Sequence, residues 1–408
     1  MKVVFISNYL NHHQIPFSDA MYRELKGDYI FIQTIPMEDE RKGMGWIFDD
    51  SKYPYLKKSY EQYEQCMQDI QESDIAIIGS AEDDFIAARL KEKKVVVRYS
   101  ERIYKNGLWH IFSPRGFFNL QKKHGRARAK NMYMLCASGY AAGDWRLQGL
   151  YRGRMYKWGY FPKFVEHNIE TLMNTKRKNK QCEIVWCGRF ISLKHPETVL
   201  QLAESLVKEK ESFHITMIGI GELRTEYEDK IHNKGLERKI SIIGPLSSGE
   251  VRDHMERANI FLMTSDYNEG WGAVINEAMN SGCAVVASHA VGCVPFLIKE
   301  NNNGKIYKSG NDKQLYNIVK RLITNIELCE RLGRNAYHTI CNDWNADHAA
   351  SNALKLFSAM LRGEDVDIAT GPCSKAEAIF QWRMYRQMLK KGRSAADGGF
   401  DQYNRSGI

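Results

Sequence analysis

The chain has 408 residues, 43% of them apolar, and a net charge of +9. That length exceeds one ordinary core and predicts two or three domains. No stretch is long and apolar enough to span a bilayer, and Met1–Ser7 is too short an apolar run for a signal peptide. Nine cysteines without a Cys-x-x-Cys pair argue against zinc-ligand spacing and, with the odd count, for a reducing cytoplasm.

In chain order, apolar strand-like runs alternate with helical patterns, the signature of doubly wound parallel sheets. The first half gives strands at Val3–Ser7, Tyr29–Thr34, Ile75–Gly79, Val95–Tyr99 and Met132–Ser138. A helix opens at Pro16, repeats Phe17, Met21 and Leu25 every four residues, and stops at Gly27. Met37–Lys58 reads as an irregular excursion. The polar run Glu166–Gln181 reads as a linker. The alternation then restarts, with strands at Glu183–Cys187, His214–Gly219, Ile240–Gly244, Ile260–Thr264, Ala284–Ala287 and Gly304–Tyr307. Helices are expected at Pro196–Glu209, Gly249–Glu256, Gly272–Asn280 and Asp312–Thr324. From Asp343 the pattern is helical, and the tail beyond Gly392 is expected to be disordered. The predicted organisation is a first Rossmann-like domain over 1–165, a second over 166–344, returning helices over 345–393 and a tail over 394–408. Both sheets are expected to face a cleft.

In such sheets ligands bind beyond the carboxyl ends of the strands, so the chemistry is sought in the loops there. After Glu183–Cys187 come Gly188, Arg189 and Lys194. Two cations at a strand end suit a diphosphate, Arg through its planar fork and Lys as a point charge. Gly219 and Gly221 form a Gly-x-Gly turn that permits close backbone approach, without the third glycine of the dinucleotide fingerprint. The stretch "NEGWGAVINEAMNSG" then places Glu269 beside Gly270, Trp271 and Gly272, and Glu277 within the helix that follows. Bare amides at a helix start favour anions, and each carboxylate can accept from paired hydroxyls.

"EGWGAVINE" resembles the Glu-x7-Glu motif of the retaining glycosyltransferases of group 1 (family 4), which have the GT-B fold. Gly188-Arg189 with Lys194, the Gly219/Gly221 turn, Gly292 with Pro295, and Asn303-Gly304 fit the same pattern. The similarity is specific from about Glu183 to Asp343; the first half matches only in strand–helix order. The resemblance implies that Arg189 and Lys194 neutralise the leaving diphosphate of a nucleotide sugar, such as a UDP-sugar. Glu277 would hold the ribose, Glu269 would contact the transferred sugar, and the amides of Gly270, Trp271 and Gly272 would meet the sugar and distal phosphate. It also implies that no divalent metal or other cofactor is needed. An Asp-x-Asp at Asp365–Asp367 is read as solvent-exposed.

The first half departs from the pattern. The loop after its first strand has no glycine but offers Asn11, His12, His13 and Gln14. His12, His13 and Gln14 are candidates for the acceptor or sugar side, against a plain loop surface. Glu101 stands where the family often has a histidine, and is read either as an acceptor-handling carboxylate or as half of a helix-capping Ser-Glu pair. His110 is a weaker candidate.

The expected function is hexose transfer from a nucleotide-diphosphate sugar to a sugar or lipid-linked acceptor, with retention, in polysaccharide or glycoconjugate biosynthesis. A sugar-nucleotide epimerase or hydrolase on the same fold is the alternative enzyme. The +9 charge, concentrated at Gln121–Lys130, Asn174–Lys180 and Gln381–Arg393, raises a basic nucleic-acid or membrane-binding protein as a different class. No nucleic-acid motif supports the first, so no nucleic-acid partner is expected. The segment Lys375–Arg393, read as a basic helix with aromatics, either packs on the first domain or lies on an anionic membrane, which would make the protein peripheral at the membrane's inner face.

Overall fold

The structure, a computed structural model, describes residues 1–37, 49–105, 114–125 and 131–380. His110, residues 126–130 of the first basic run, and 381–408, with most of the proposed basic helix and the expected tail, lie outside the described residues.

The described chain divides into two compact units. The first comprises Met1–Lys163 and Asp343–Phe380, and the second includes Phe164–Asn342. The first unit holds β1 (Val3–Ser7), β2 (Tyr29–Gln33), β3 (Leu56–Lys58), β4 (Ile75–Ile78), β5 (Val96–Ser100), β6 (Met132–Cys136) and β7 (Met155–Lys157). They form a sheet in the order β3-β2-β1-β4-β5-β6-β7, parallel at every pairing. The second holds β8 (Cys182–Cys187), β9 (Phe213–Ile218), β10 (Ile240–Ile243), β11 (Ile260–Met263), β12 (Ala284–Ser288) and β13 (Lys305–Tyr307). Their order is β10-β9-β8-β11-β12-β13, again parallel. Each unit is thus a Rossmann-like α/β fold, as expected.

The central strands read as continuous apolar runs because helices cover both faces of a parallel sheet. Val3, Val4, Phe5 and Ile6 of β1 are all buried, as are all four residues of β11. In the second unit the helices Pro196–Lys208 and Asp312–Thr324 put Val199, Leu202, Leu206, Leu315, Val319 and Leu322 into the same cluster as β8, β9 and β11. Each such side chain contributes about 2 kcal/mol by leaving water.

Four expectations need correcting. The polar run Glu166–Gln181 is not an unstructured linker: Ile169–Arg177 is a helix, capped by the Asn168 side chain on Thr171 N. Its buried face is only Leu172, Met173 and the Lys176 stem, whose ammonium bonds the Met255 carbonyl at 2.8 Å, so its apolar period is faint. Met37–Lys58 is not irregular throughout, because Leu56–Lys58 pairs with β2 as the sheet's edge strand. The helix expected from Gly272 starts at Val274; Gly272 is left-handed at φ +89° and belongs to the loop. The helix expected from Lys375 is absent through Phe380. Helix Ala346–Arg362 ends at left-handed Gly363, and the chain then runs beside β7. There Cys373 N donates to Lys157 O at 2.7 Å and Ala376 N to Met155 O at 2.9 Å. Asp365 and Asp367 are exposed.

Candidate active site

In the second unit the strand order reverses between β8, which is flanked by β9, and β11. Ligands of open α/β sheets bind at the carboxyl end of such a reversal. The loops there are Gly188–His195 and Thr264–Gly272, and hydrogen bonds splice them together. Trp186 Nε1 donates to Thr264 Oγ1 at 2.8 Å, Thr264 Oγ1 donates to the Lys194 carbonyl, and Asp266 N donates to Leu193 O at 3.1 Å. At the seam the Lys194 ammonium pairs directly with the Glu269 carboxylate. The two residues are 75 apart in sequence, and both side chains are only about 15% exposed. Arg189, by contrast, is exposed and its guanidinium has no ion pair among the described residues.

His195 fastens the same loops. It is held left-handed at φ +50°, with Nδ1 2.6 Å from Glu197 and Nε2 3.2 Å from Asp266. Burial opposes its charge, but the hydrogen bonds and charges of Glu197 and Asp266 outweigh it and raise its pKa. Sequence reasoning missed His195 and Asp266; only their position beside two strand ends could have suggested them.

Gly219 and Gly221 are needed for close approach, and what approaches is the protein's own backbone. A Cβ on Gly219 would lie 1.9 Å from the Gly188 carbonyl oxygen, and one on Gly221 would lie 2.5 Å from that of Phe190. The Lys194 stem rests on Gly188, 3.5 Å from where a Cβ would stand. The two glycines therefore set the height of the cation loop.

Gly270 and Gly272 are buried, and neither amide donates to a protein acceptor among the described residues. The Trp271 side chain is core, 1% exposed, with Nε1 bonded to Asn276 Oδ1 at 2.9 Å, so it offers a ligand only backbone. Glu277, on helix Val274–Asn280, has no hydrogen-bonding partner for its carboxylate among the described residues. Burial raises its pKa, with the Arg252 charge pulling the other way. The Cys187 thiol at the end of β8, pushed up to about 12 by burial, also feels Glu277 and Lys194, so all three share one locality. An uncommitted, desolvated carboxylate suits neutral hydroxyl donors.

In the first unit the order reverses between β1 and β4, and the loop after β1 carries His12, His13 and Gln14. Burial depresses His12 to about 4, and burial plus the His12 charge depresses His13 well below the usual range. Both rings are therefore neutral at pH 7. His13 stacks on Tyr160 with ring centres 5.6 Å apart and planes 6° apart. Tyr160 Oη donates to Glu101 Oε1 at 2.5 Å, and the Lys105 ammonium pairs with Oε2. The structure thus joins His12, His13 and Glu101 through a tyrosine that sequence reasoning missed, 59 residues from Glu101. Glu101 is not a helix cap, since residues 101–105 contain no helix. Gln14 is 9% exposed and its Oε1 is buried without a partner among the described residues.

Among the described residues no cluster of three or more His, Cys, Asp or Glu is arranged to hold a metal ion. No helix there is long and apolar enough to cross a membrane. All nine cysteines are free thiols.

Residues 168–339 match the sequence profile described as glycosyl transferases group 1. Over this stretch the chain is similar to the group 1 glycosyl transferases. Every second-unit candidate named above lies within the matched stretch. The chain is 25% identical over 204 residues to a poly(ribitol-phosphate) alpha-N-acetylglucosaminyltransferase of Staphylococcus aureus (strain COL), covering 48% of this chain and 41% of that protein. It is 27% identical over 177 residues to the capsular polysaccharide biosynthesis glycosyltransferase CapH of Staphylococcus aureus, covering 42% and 46%. The chain thus spans less than half the length of these curated relatives. A crystal structure of Anabaena HepE in complex with UDP superposes with a TM-score of 0.66 at 14% identity, over 88% of this chain and 100% of that one. That likeness establishes the fold, two Rossmann-like units of the GT-B kind.

Proposed function

We propose that the protein is a retaining glycosyltransferase that moves a hexose from a nucleotide-diphosphate sugar, taken to be a UDP-sugar, to a hydroxyl of a glycan or lipid-linked acceptor. The observation that carries this reading is the Lys194–Glu269 pair at the β8/β11 reversal, with unpaired Arg189 at one edge and uncommitted Glu277 in the same locality. The printed functions of the two staphylococcal relatives, each a glycosyltransferase, and the UDP of the HepE complex support it.

In this reading Arg189 takes the diphosphate through its fork. Lys194 divides its charge between the phosphate and Glu269, which turns toward the sugar hydroxyls. Glu277 accepts from the ribose. The amides of Gly270 and Gly272 face the sugar and distal phosphate. Charge that develops on the leaving diphosphate meets two cations carried by the loop that follows β8. No divalent metal is required for that role. The leaving phosphate oxygen takes the acceptor's proton on the same face, which retains configuration. His12, His13 and Glu101, held as one network by Tyr160, receive the acceptor through neutral imidazoles that can accept or donate to hydroxyls. A thermal-shift screen of nucleoside diphosphates and their sugars, followed by product analysis by NMR, tests the proposal. Stabilisation by UDP and an α-linked product from an α-linked donor are expected; an inverted product overturns retention.

A further inference from the structure

Helix Pro114–His124 carries a surface that the reaction does not use. Phe118 is 68% exposed, more than any other large apolar side chain among the described residues, and its neighbour Phe117 is 39% exposed. The helix contains Arg115, Lys122, Lys123 and His124 and no acidic residue. At 100° per residue, Arg115, Phe118 and Lys122 fall within about 60° of one another, and opposite Leu120. The inner face is accounted for: Leu120 packs on the core cluster of β6 and helix Ala141–Leu147, and His124 is buried, with Nδ1 2.8 Å from Tyr151 Oη. The last turn is tied to the carboxyl edge of the sheet, where Arg98 Nη2 reaches the Lys123 carbonyl at 3.5 Å and Lys123 lies 4.0 Å from Asp83. Arg115 and Lys122 have no ion pair among the described residues. The helix thus presents an exposed aromatic with a cation that has no ion pair among the described residues one turn to either side.

We propose that this outer face docks the protein on an anionic lipid bilayer. Phe118 would enter the acyl–headgroup boundary while Arg115 and Lys122 contact lipid phosphates. Aromatic and basic side chains on one face are what interfacial binding requires, and the two contributions act together because neither alone holds a protein on a membrane. A protein partner would have to be acidic and apolar at once in the same small footprint, whereas an anionic bilayer offers both everywhere. The inference does not depend on the donor site. It assigns the contact to a segment other than 381–393, whose basic residues raised the membrane reading from sequence.

The test is co-sedimentation of the full chain with phosphatidylglycerol/phosphatidylcholine vesicles and with pure phosphatidylcholine. Wild type is expected to bind the anionic vesicles, less so at high salt, and not the neutral ones. Phe118→Ser and the pair Arg115→Glu/Lys122→Glu should each weaken binding by roughly tenfold or more, with unchanged circular dichroism and unchanged UDP binding. Lys390→Glu/Lys391→Glu should retain it. Failure of wild type to bind anionic vesicles, or loss in the Lys390/Lys391 variant with retention in the two helix variants, overturns the proposal.

Discussion

Replacing Gly219 by alanine isolates the contact that sets the cation loop. The new Cβ would stand 1.9 Å from the Gly188 carbonyl oxygen, a backbone atom that no rotamer change can remove. Real Cβ contacts stay beyond 3.0 Å, so the ends of β8 and β9 must part by at least 1.1 Å (3.0 − 1.9). That separation sacrifices the hydrogen bonds Gly188 N to Ile218 O, 3.0 Å, and Phe190 N to Ile220 O, 2.7 Å, at about 1 kcal/mol each. Positive φ, +151° at Gly219, adds about 1 kcal/mol. A total of about 3 kcal/mol corresponds to a fall of roughly 6–12 °C in the unfolding midpoint of a unit this size. Gly310→Ala is the control: its φ is +76° and nothing lies within 4 Å of the added carbon. It should cost about 1 kcal/mol, roughly 2–4 °C. Unfolding followed by circular dichroism measures both, and UDP affinity should fall only in Gly219→Ala, because Lys194 rests on Gly188. Equal midpoints for the two variants would refute the reasoning.

Arg189→Ala and Lys194→Ala should each lower turnover at saturating donor by roughly 100-fold with the fold intact; near-normal turnover in both would remove the diphosphate role. Activity should survive EDTA, and loss restored by magnesium or manganese would contradict the metal-free reading. The raised pKa of His195 means that its clamp on Glu197 and Asp266 is fully formed below the ordinary imidazole value of 6.5 and is lost as pH rises through the higher folded value. Donor affinity should therefore decline above about pH 6.5, and His195→Gln should flatten that profile; an unchanged profile would dismiss the clamp.

The sheets were legible from sequence because β1, β4, β11 and β12 are apolar runs buried on both faces, a pattern that needs no partner to be recognised. Helix Ile169–Arg177 was not, because two buried apolar residues in a charged run leave no period to read. Gly272 looked like a helix start, but its left-handed backbone throws the first turn forward to Val274. In the candidate site, Glu269, Glu277, Arg189 and Lys194 were legible as chemistry but not as a pair: the 75-residue separation of Lys194 and Glu269 is closed only by strand order. Tyr160 was invisible for the same reason, since nothing local marks the residue that will stack on His13 and reach Glu101.

The central claim is that Arg189, Lys194 and Glu277 hold a nucleoside diphosphate while Glu269 serves the sugar. Calorimetric titration of bare UDP, with EDTA present, tests it most directly in wild type, Glu269→Gln and Glu277→Gln. Bare UDP must share Lys194 with Glu269, so Glu269→Gln, which frees the ammonium, should bind it at least as tightly as wild type. Glu277→Gln, deprived of its ribose acceptor, should bind it roughly tenfold more weakly, as expected for one lost charge-assisted hydrogen bond. No UDP binding by wild type, or an equal loss in the two variants, would contradict the account.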